Sequence, residues 1–462
     1  MRHIAKNDHG QILIVTAYIL PVLLLLGGLA VDVGLIFIAK AKLSSAVDSA
    51  CLAGMKGLAV SQATATTYAT DMFNANWCGG SCGANPPVPT VTFPTDQWND
   101  EQVHVAATVP VSTVFMRVIP AFATVNVSDT AQSLRGKLTM TVVLDRSGSM
   151  NNDGGGAALQ SAVPTFVNDF NNTTDEVALV SFASYASVDF AIGFNFKTPI
   201  TNAVAAMNFS GGTFGTGAGT NPNPSAVNGP PMSMADQQNT SVASGNPNQI
   251  KVVVYFTDGL MNVVQDNFTC VINNNPTQVL INYGGYDSGN TVDFLDPTGQ
   301  TGNANGSPGD WGSYSGGVIR DAGGDICQNP KGTNVTKFPQ QAGGQFAGGN
   351  TFTRANVTAE AQNRAITTAT AIRGESPIPT YIFTIGLGDN GAGGMTQATQ
   401  NFLAQLANVQ TFSDGSANPH YNNTQPSGLF IYISSCPSAT CTADVTTAFQ
   451  TIAAKILLRL TQ

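Results

Sequence analysis

A mostly apolar run followed at once by three oxygen-bearing side chains is the feature that most constrains this chain. Residues 138–144 have the composition of a buried strand, and Asp145, Ser147 and Ser149 follow in a D-x-S-x-S turn. Such a turn projects three oxygens from the carboxyl end of a strand. Mg2+ is a hard cation that prefers small oxygen ligands. The spacing therefore predicts a strand that ends in a metal site.

A second strand supports this interpretation. Residues 250–256 are almost continuously apolar, which is typical of a parallel strand buried on both faces. The strand ends in a T-D-G turn that carries Asp258, at the sheet edge where open α/β folds bind ligands. Between the two strands lies a glycine-rich loop in which Thr213 is the favoured further oxygen ligand, with Thr216 and Thr220 as alternatives.

The order of strand, D-x-S-x-S turn, threonine loop and T-D-G turn resembles the von Willebrand factor type A domain and its metal-ion-dependent adhesion site. The resemblance implies an α/β fold with a doubly wound, mostly parallel sheet. It also implies that the hydroxyls of Ser147, Ser149 and Thr213 coordinate the metal, with Asp145 and Asp258 acting directly or through water. Few negative charges would then touch Mg2+ (or Mn2+ or Ca2+), which could accept a carboxylate from a protein ligand.

The amino-terminal region predicts a membrane anchor. Residues 12–38 are almost uninterruptedly apolar, long enough to cross about 30 Å of hydrocarbon as a helix. A cleavable signal peptide is the alternative, but its apolar region would be shorter, about 7 to 15 residues. We therefore expect a cytoplasmic tail at residues 1–11, the membrane helix, and a juxtamembrane helix over residues 39–75. Asp32, near the end of the span, is expected to face the interface.

The same region resembles a known family. Residues 10–54, with Leu-Ala-Val-Asp at 29–32 and the small-residue pattern at 46–54, resemble the amino terminus of TadG-like tight-adherence (Flp) pilus assembly proteins. In that family a cytoplasmic tail, one membrane helix and a juxtamembrane helix precede a von Willebrand type A domain outside the membrane. The resemblance implies an inner-membrane anchor and a head in the periplasm or at the surface of a bacterium. Pilus or envelope assembly components are its implied partners.

The remaining chain divides by composition. Residues 76–137 are rich in β-branched residues and prolines, which predicts a small β-rich connector. The type A domain is expected to cover residues 138–462, with a large irregular insertion at about 263–350. This insertion is rich in Gly, Asn, Asp, Ser and Thr and lacks periodicity, so we expect it to be functional or partly disordered. Contact with a glycan or partner and low-complexity filler are both compatible with its aromatic residues.

Seven cysteines suggest an oxidising compartment. Zinc is the alternative for closely spaced cysteines, but the C-x3-C and C-x4-C spacings are unsuitable and the four histidines lie elsewhere. Cys51 is left over and is expected to be a small buried hydrophobe. The predicted disulfide partners are Cys78 with Cys82, Cys270 with Cys327, and Cys436 with Cys441.

Composition and motifs exclude several functions. Only 10% of the residues are charged, the net charge is −9 and no basic patch appears, so nucleic acid is not an expected partner. The sequence contains no G-x-S-x-G elbow, no H-E-x-x-H motif and no P-loop, which argues against an enzyme. We expect a membrane-anchored, metal-dependent adhesion or assembly protein. The alternative is a structural pilus or envelope subunit in which the metal only stabilises the head.

Overall fold

The fold is known from a computed structural model, and its chain divides into two units. Unit 1 comprises residues 1–136 with 461–462, and unit 2 comprises residues 137–460. The structure describes residues 9–58, 61–79, 87–98, 100–152, 154–183, 186–209, 231–242, 245–272, 275–284, 293–296, 309–310, 314–315, 318–320, 326–328, 344–346, 349, 351–388, 395–434, 436 and 440–460.

Unit 1 is built on a 50-residue helix that joins the predicted membrane span to most of the predicted juxtamembrane helix. Among the described residues, this helix alone has the length and apolar composition needed to cross a membrane. The elements of unit 1 are α1 (His9–Leu58), α2 (Gln62–Cys78), β1 (Thr90–Thr92), β2 (Glu101–Ser112) and β3 (Thr124–Arg135).

The juxtamembrane region is two helices rather than one. The hydroxyl of Ser61 caps α2 by accepting the N–H of Thr64 at 3.1 Å. A Cβ added to Gly57 would lie 2.7 Å from the Cα of Ala65, so glycine allows the two helix backbones to approach closely. The chain therefore turns back on itself and α2 packs along α1.

The connector strands share a core with these helices. Strands β1, β2 and β3 form an antiparallel sheet, and β2 pairs with β3 along its whole length. Val103, Val105 and Val109 of β2 are buried against Leu43 and Val47 of α1. The alternating pattern of β2 thus buries one face on the helix pair, which stabilises both elements.

Unit 2 starts with helices and strands of an α/β sheet, continues with the insertion, and ends with helices and strands that complete the same α/β sheet. Its elements are β4 (Leu138–Asp145), α3 (Ser149–Asn152), α4 (Gly155–Asn168), β5 (Glu176–Phe182), β6 (Ala186–Gly193), α5 (Lys197–Ala205), α6 (Pro231–Ser241), β7 (Ile250–Thr257), β8 (Val263–Ile272), β9 (Asn275–Gly284), β10 (Asp293–Asp296), β11 (Gly309–Asp310), β12 (Tyr314–Ser315), β13 (Val318–Arg320), β14 (Ile326–Gln328), α7 (Arg354–Arg373), β15 (Thr380–Leu387), α8 (Gln397–Leu406), β16 (Leu429–Ile433) and α9 (Cys441–Leu460).

The main sheet confirms the predicted fold class. Its strand order is β16-β15-β7-β4-β5-β6, and all neighbours are parallel except β5 and β6. On one face α4, α5 and α9 bury residues such as Phe166, Ile200 and Phe449 against the strands. On the other face α6, α7 and α8 contribute Met232, Ala365 and Phe402. Two apolar layers therefore enclose the sheet, which explains why its strands are apolar on both faces.

The insertion contains regular structure that its sequence does not indicate. Strands β8 to β14 form an antiparallel sheet whose longest part is the β8–β9 hairpin. The buried Tyr283 donates its hydroxyl to Asp266 at 2.5 Å, and Arg364 of α7 contacts that carboxylate at 2.9 Å. Polar residues interrupt the apolar alternation in both strands, so the period-2 signal is lost. The prediction of a large irregular insertion at about 263–350 therefore needs correction where β8 to β14 form this sheet.

Candidate metal site

The predicted metal-binding turn lies where the strand order of the main sheet reverses. From β4 the chain first adds β5 and β6 on one side, and β7 then pairs on the other side. Such a switch point opens a crevice at the carboxyl ends of the strands. All eight residues of β4 are buried, and Leu144 is in register with Phe256 of β7. The register brings the residues that follow these two together.

Asp145 is buried and held by several donors. Its side chain is 4% exposed, and its Oδ2 accepts the hydroxyl of Thr257 at 2.6 Å. Its Oδ1 accepts the backbone N–H of Ser147 at 2.8 Å, and the backbone N–H of Asp258 also donates to the carboxylate. Burial raises the pKa of Asp145, and the hydrogen bonds from Thr257 and Ser147 oppose that shift. The carboxylate is thus fixed in position but incompletely compensated.

The two serines of the turn converge. The hydroxyl oxygens of Ser147 and Ser149 lie 2.9 Å apart, and Ser149 is exposed to solvent. The turn is held in place by Met150, which is fully buried in the core, and a Cβ on Gly155 would lie 2.7 Å from the Met150 methyl carbon. A buried residue directly after the turn therefore fixes the direction of both hydroxyls.

The other two predicted ligands have different outcomes. Asp258 directly follows β7, and one of its carboxylate oxygens is shielded from solvent. The hydrogen bond from its backbone N–H to the Asp145 carboxylate places Asp258 at the same crevice. Thr213 and its alternatives Thr216 and Thr220 lie in the segment 210–230, outside the described residues. Their roles as ligands stay predictions.

The donors described here fit a small hard cation. Among the described residues, no group of three or more His, Cys, Asp or Glu side chains could hold a metal. The site instead offers two hydroxyls beside one buried carboxylate, with Asp258 on the adjoining strand end. A buried carboxylate is costly unless a positive charge compensates it. Oxygen donors with little negative charge match Mg2+ better than Zn2+.

Two neighbours of the site were not assigned from the sequence. Thr257 belongs to the T-D-G turn. Leu144 of β4 is in register with Phe256 of β7, so the next residues of the two strands, Asp145 and Thr257, lie side by side. Asp189 of β6 accepts the hydroxyl of Ser187 at 3.0 Å. Burial raises the pKa of Asp189, while Ser181 and the charge of Arg146 oppose the shift. A single acid in an antiparallel edge strand carries no sequence signal for this position.

One predicted cysteine pair has both side chains within the described residues, and a second pair has one. A disulfide joins Cys436 to Cys441, whose Cα atoms lie 4.3 Å apart. It links the chain after β16 to the first residue of α9. Cys78 is also disulfide-bonded, and its predicted partner Cys82 lies outside the described residues.

The remaining cysteines differ in what the structure describes. Cys270 of β8 and Cys327 of β14 are register partners in antiparallel strands, and their side chains lie outside the described residues. Their disulfide stays a prediction. Cys51 is buried and free, and its thiol donates to the carbonyl of Val103 at 3.1 Å. It fills space between α1 and β2, as expected of a small buried residue.

Comparisons with known families identify two segments. Residues 10–65 match the profile of Flp pilus-assembly TadE/G-like proteins. Residues 140–290 match the profile of the von Willebrand factor type A domain. No curated protein matches this chain in sequence.

Several solved structures show partial likeness. A mutant of the PilB minor pilin from Streptococcus sanguinis is 11% identical over 81% of this chain and 80% of that protein, with a TM-score of 0.37. The pilus adhesin SpaC from Lactobacillus rhamnosus GG is 12% identical over 81% and 36%, with a TM-score of 0.36. The vWF domain of the type V pili tip protein Mfa5 from Porphyromonas gingivalis is 13% identical over 71% and 97%, with a TM-score of 0.34. Likenesses this weak do not bear on function.

Proposed function

Because this chain joins a TadE/G-like amino-terminal segment to a von Willebrand factor type A domain, we propose that it serves a tight-adherence pilus system as a membrane-anchored adhesion or assembly protein. The head binds a protein ligand through a divalent cation, with Mg2+ favoured over Mn2+ and Ca2+. The observation that carries this proposal is the pair of serine hydroxyls 2.9 Å apart beside the buried Asp145.

In this proposal the cation is bound by both neutral and negatively charged side chains of the crevice. Ser147 and Ser149 supply neutral oxygens, with Thr213 as the proposed third hydroxyl. Asp145 and Asp258 supply negative charge directly or through water. When bound, the cation offers a Lewis-acidic position to a carboxylate of the partner. Thr257 holds Asp145 in place by its 2.6 Å hydrogen bond, so it acts as a positioning residue.

The remaining parts of the chain support the same role. Helix α1 is long and apolar enough to anchor the protein in the inner membrane, and we place the head in the periplasm or at the cell surface. The disulfide between Cys436 and Cys441 suits an oxidising compartment. The proposed partners are pilus or envelope components, and the activity is binding rather than catalysis.

The test is calorimetric titration of Mg2+, Mn2+ and Ca2+ into the detergent-solubilised full chain. We compare the wild type with a Ser147→Ala, Ser149→Ala double variant. Ser161→Ala is the matched control, because Ser161 is an exposed serine on α4 whose hydroxyl bonds only within its own helix. We expect saturable binding in the wild type and control and none in the double variant.

The same variants separate adhesion from a structural role. Pull-down of purified pilus and envelope components in Mg2+ and in EDTA gives the second readout. Loss of partner binding in the double variant with an unchanged melting temperature in EDTA supports adhesion. A large drop in melting temperature without any metal-dependent partner would favour a structural subunit instead. Absence of metal binding in the wild type would contradict the proposal.

A further inference from the structure

The hairpin between β2 and β3 ends in an exposed apolar tip, residues 113–123. Its sequence T-V-F-M-R-V-I-P-A-F-A contains one charged residue, Arg117. Apolar side chains on the surface of a hairpin end are costly in water unless something covers them. The exposed fractions are 53% for Val114, 51% for Phe115, 84% for Val118, 56% for Ile119 and 47% for Phe122.

The tip is fastened to α1 by a buried carboxylate. Asp32 is 0% exposed, and its two oxygens accept the backbone N–H groups of Val114 at 2.6 Å, Phe115 at 3.0 Å and Met116 at 2.6 Å. The ring of Phe115 packs on Gly28, where an added Cβ would lie 2.6 Å from the ring. The tip is therefore held against the apolar stretch of α1 and not free in solution.

The position along α1 sets the depth of the tip. A helix rises about 1.5 Å per residue, so a span that begins near Ile12 crosses about 30 Å of hydrocarbon by Val31. Asp32 follows directly. The surface of α1 around it is apolar and continuous with the span, as Leu29 and Val33 are 38% and 52% exposed. The tip thus lies at the level where the helix leaves the hydrocarbon.

The backbone of the tip is adapted to a medium without water. Lipid tolerates irregular backbone only where its polar groups find partners. The eleven residues include one proline and so carry ten N–H groups, of which at least eight are donated within unit 1. Two short 3-10 turns, Met116–Val118 and Pro120–Phe122, provide several of these bonds. The paired amides are those of residues 113, 114, 115, 116, 118, 119, 122 and 123.

We propose that residues 113–123 form a second membrane contact that inserts its apolar side chains into the outer interface of the bilayer beside α1. Arg117 lies at the level of the lipid headgroups, where a long cationic side chain is favourable. The contact fixes the rotation of α1 and the orientation of the β2–β3 hairpin relative to the membrane surface. This inference rests on the proposed crossing of the membrane by α1.

The test measures depth in the bilayer by tryptophan quenching. The full chain is reconstituted in phosphatidylcholine and phosphatidylglycerol vesicles with and without dibrominated phosphatidylcholine. Val118→Trp places the probe in the tip. Val88→Trp is the matched control, since Val88 is 75% exposed in unit 1 outside the tip. Wild-type protein corrects for the three native tryptophans. We expect quenching of Val118→Trp to exceed that of Val88→Trp roughly twofold, as for a side chain at the acyl boundary.

A third probe distinguishes failure of the tip from failure of the anchor. Leu25→Trp replaces a residue of the apolar stretch that is 71% exposed. Quenching of Leu25→Trp without quenching of Val118→Trp overturns the tip contact and leaves the anchor intact. Absence of quenching at both positions contradicts the membrane crossing and the tip contact together. A blue-shifted Val118→Trp emission without lipid quenching also overturns the proposal, because a protein partner then covers the tip.

A second pair of variants tests the fastening of the tip. A Cβ at Gly28 would meet Phe115, whereas at Gly27 it would meet nothing within 4 Å. In the Val118→Trp background, we expect Gly28→Ala to reduce quenching and Gly27→Ala to leave it unchanged. Equal quenching in both variants would contradict a tip position set by the Phe115 contact.

Discussion

Asp32 and Asp145 are both aspartates without significant exposure, at 0% and 4%, yet their surroundings differ. Asp32 accepts three backbone N–H groups of one loop, so both of its oxygens are used within unit 1. Asp145 accepts backbone N–H groups and the hydroxyl of Thr257, and the hydroxyls of Ser147 and the exposed Ser149 lie beside it. The first carboxylate holds the chain together. The second lies at a candidate site whose Ser149 hydroxyl is exposed to solvent.

The difference suggests how to distinguish a structural acid from an acid at a candidate binding site. Burial alone does not separate the two. The useful criterion is what the neighbouring groups offer: the three donors to Asp32 are all backbone amides, whereas the hydroxyls of Ser147 and Ser149 place further oxygen atoms next to Asp145. Additional oxygen atoms beside a buried carboxylate are the arrangement that a bound hard cation requires.

The largest expected change in a rate comes from Asp32→Asn. The amide group would place an N–H donor against backbone N–H groups, so the tip should detach from α1. We expect trypsin to cleave after Arg117 roughly tenfold faster in detergent, because cleavage follows the population of the opened loop. Asp48→Asn on the exposed face of the same helix is the control and should match the wild type. An unchanged cleavage rate in Asp32→Asn would remove Asp32 as the fastening residue.

The matched change at the second carboxylate is Asp145→Asn. It should lower stability mainly by abolishing the stabilisation that a bound cation provides. In EDTA we expect the free energy of unfolding to change by about 1 kcal/mol or less. The Asn oxygen can still accept the Ser147 N–H, its NH2 group can donate to the Thr257 hydroxyl, and a buried charge is removed. At a Mg2+ concentration 100 times the dissociation constant, the wild type should gain about 2.7 kcal/mol and the variant nothing. Urea titrations in EDTA and in Mg2+ measure both.

Asp414→Asn, in an exposed turn, is the control for this pair and should keep the full Mg2+ response. A strong loss of stability of Asp145→Asn in EDTA would place Asp145 in the same structural class as Asp32, and the contrast between the two would collapse.

Thr257→Val sharpens the comparison by removing one donor to Asp145 without removing a predicted ligand. Outer residues that orient a metal ligand typically contribute about tenfold or more to affinity. We therefore expect roughly tenfold weaker Mg2+ binding in calorimetry and a loss of about 1 kcal/mol in stability. Thr257→Ser keeps the hydroxyl and should recover the affinity. Equal affinity in the Val variant would show that Thr257 does not position Asp145.

The smallest effect concerns a third acid, Asp236. It has neither the amide donors of Asp32 nor the neighbouring serine hydroxyls of Asp145. Burial and the nearby Glu375 raise its pKa to about 7, and Lys251 opposes the shift. Because the folded pKa lies above the unfolded value of 3.8, the native state binds the proton more tightly. Stability should therefore fall as pH rises from about 4 to about 7.

Asp236→Asn should remove this part of the pH dependence and be more stable than the wild type at pH 8. We expect a gain of about 1 kcal/mol, which corresponds to about 1.5 °C in melting temperature for a unit of this size. Melting curves at pH 5 and pH 8 provide the measurement. A variant that follows the wild type at both values would show that Asp236 does not titrate in this range.

How much of this was predictable differs between the two units and between parts of the site. The strands β4, β7 and β15 are visible as apolar runs, and the D-x-S-x-S turn follows from the first of them. The donors to Asp32 and the hydroxyl donor to Asp145 could not be predicted, because they come from residues 82–84 and 112 positions away. Pairings at such distances depend on sheet register and hairpin geometry, which local periodicity does not encode.

Other features lacked a signal of the kind that sequence patterns provide. The break after α1 depends on the close approach at Gly57, and many glycines in this chain do no such thing. Polar residues interrupt the apolar pattern in both strands of the β8–β9 hairpin, and the hairpin contacts Phe352 and Arg364 of distant segments. In both cases tertiary packing decides a structure that local preference leaves open.

The sequence separation between each carboxylate and its donors also sets the order in which the two groups of contacts form during synthesis. Domains generally fold from the amino terminus as the chain is made. Asp32 has all of its donors once residue 116 has been added, whereas Asp145 must wait for Thr257. The attachment of the β2–β3 hairpin to α1 can therefore form well before Asp145 has its full set of donors. On the proposed function, a newly made molecule is thus attached to the membrane before it becomes able to bind.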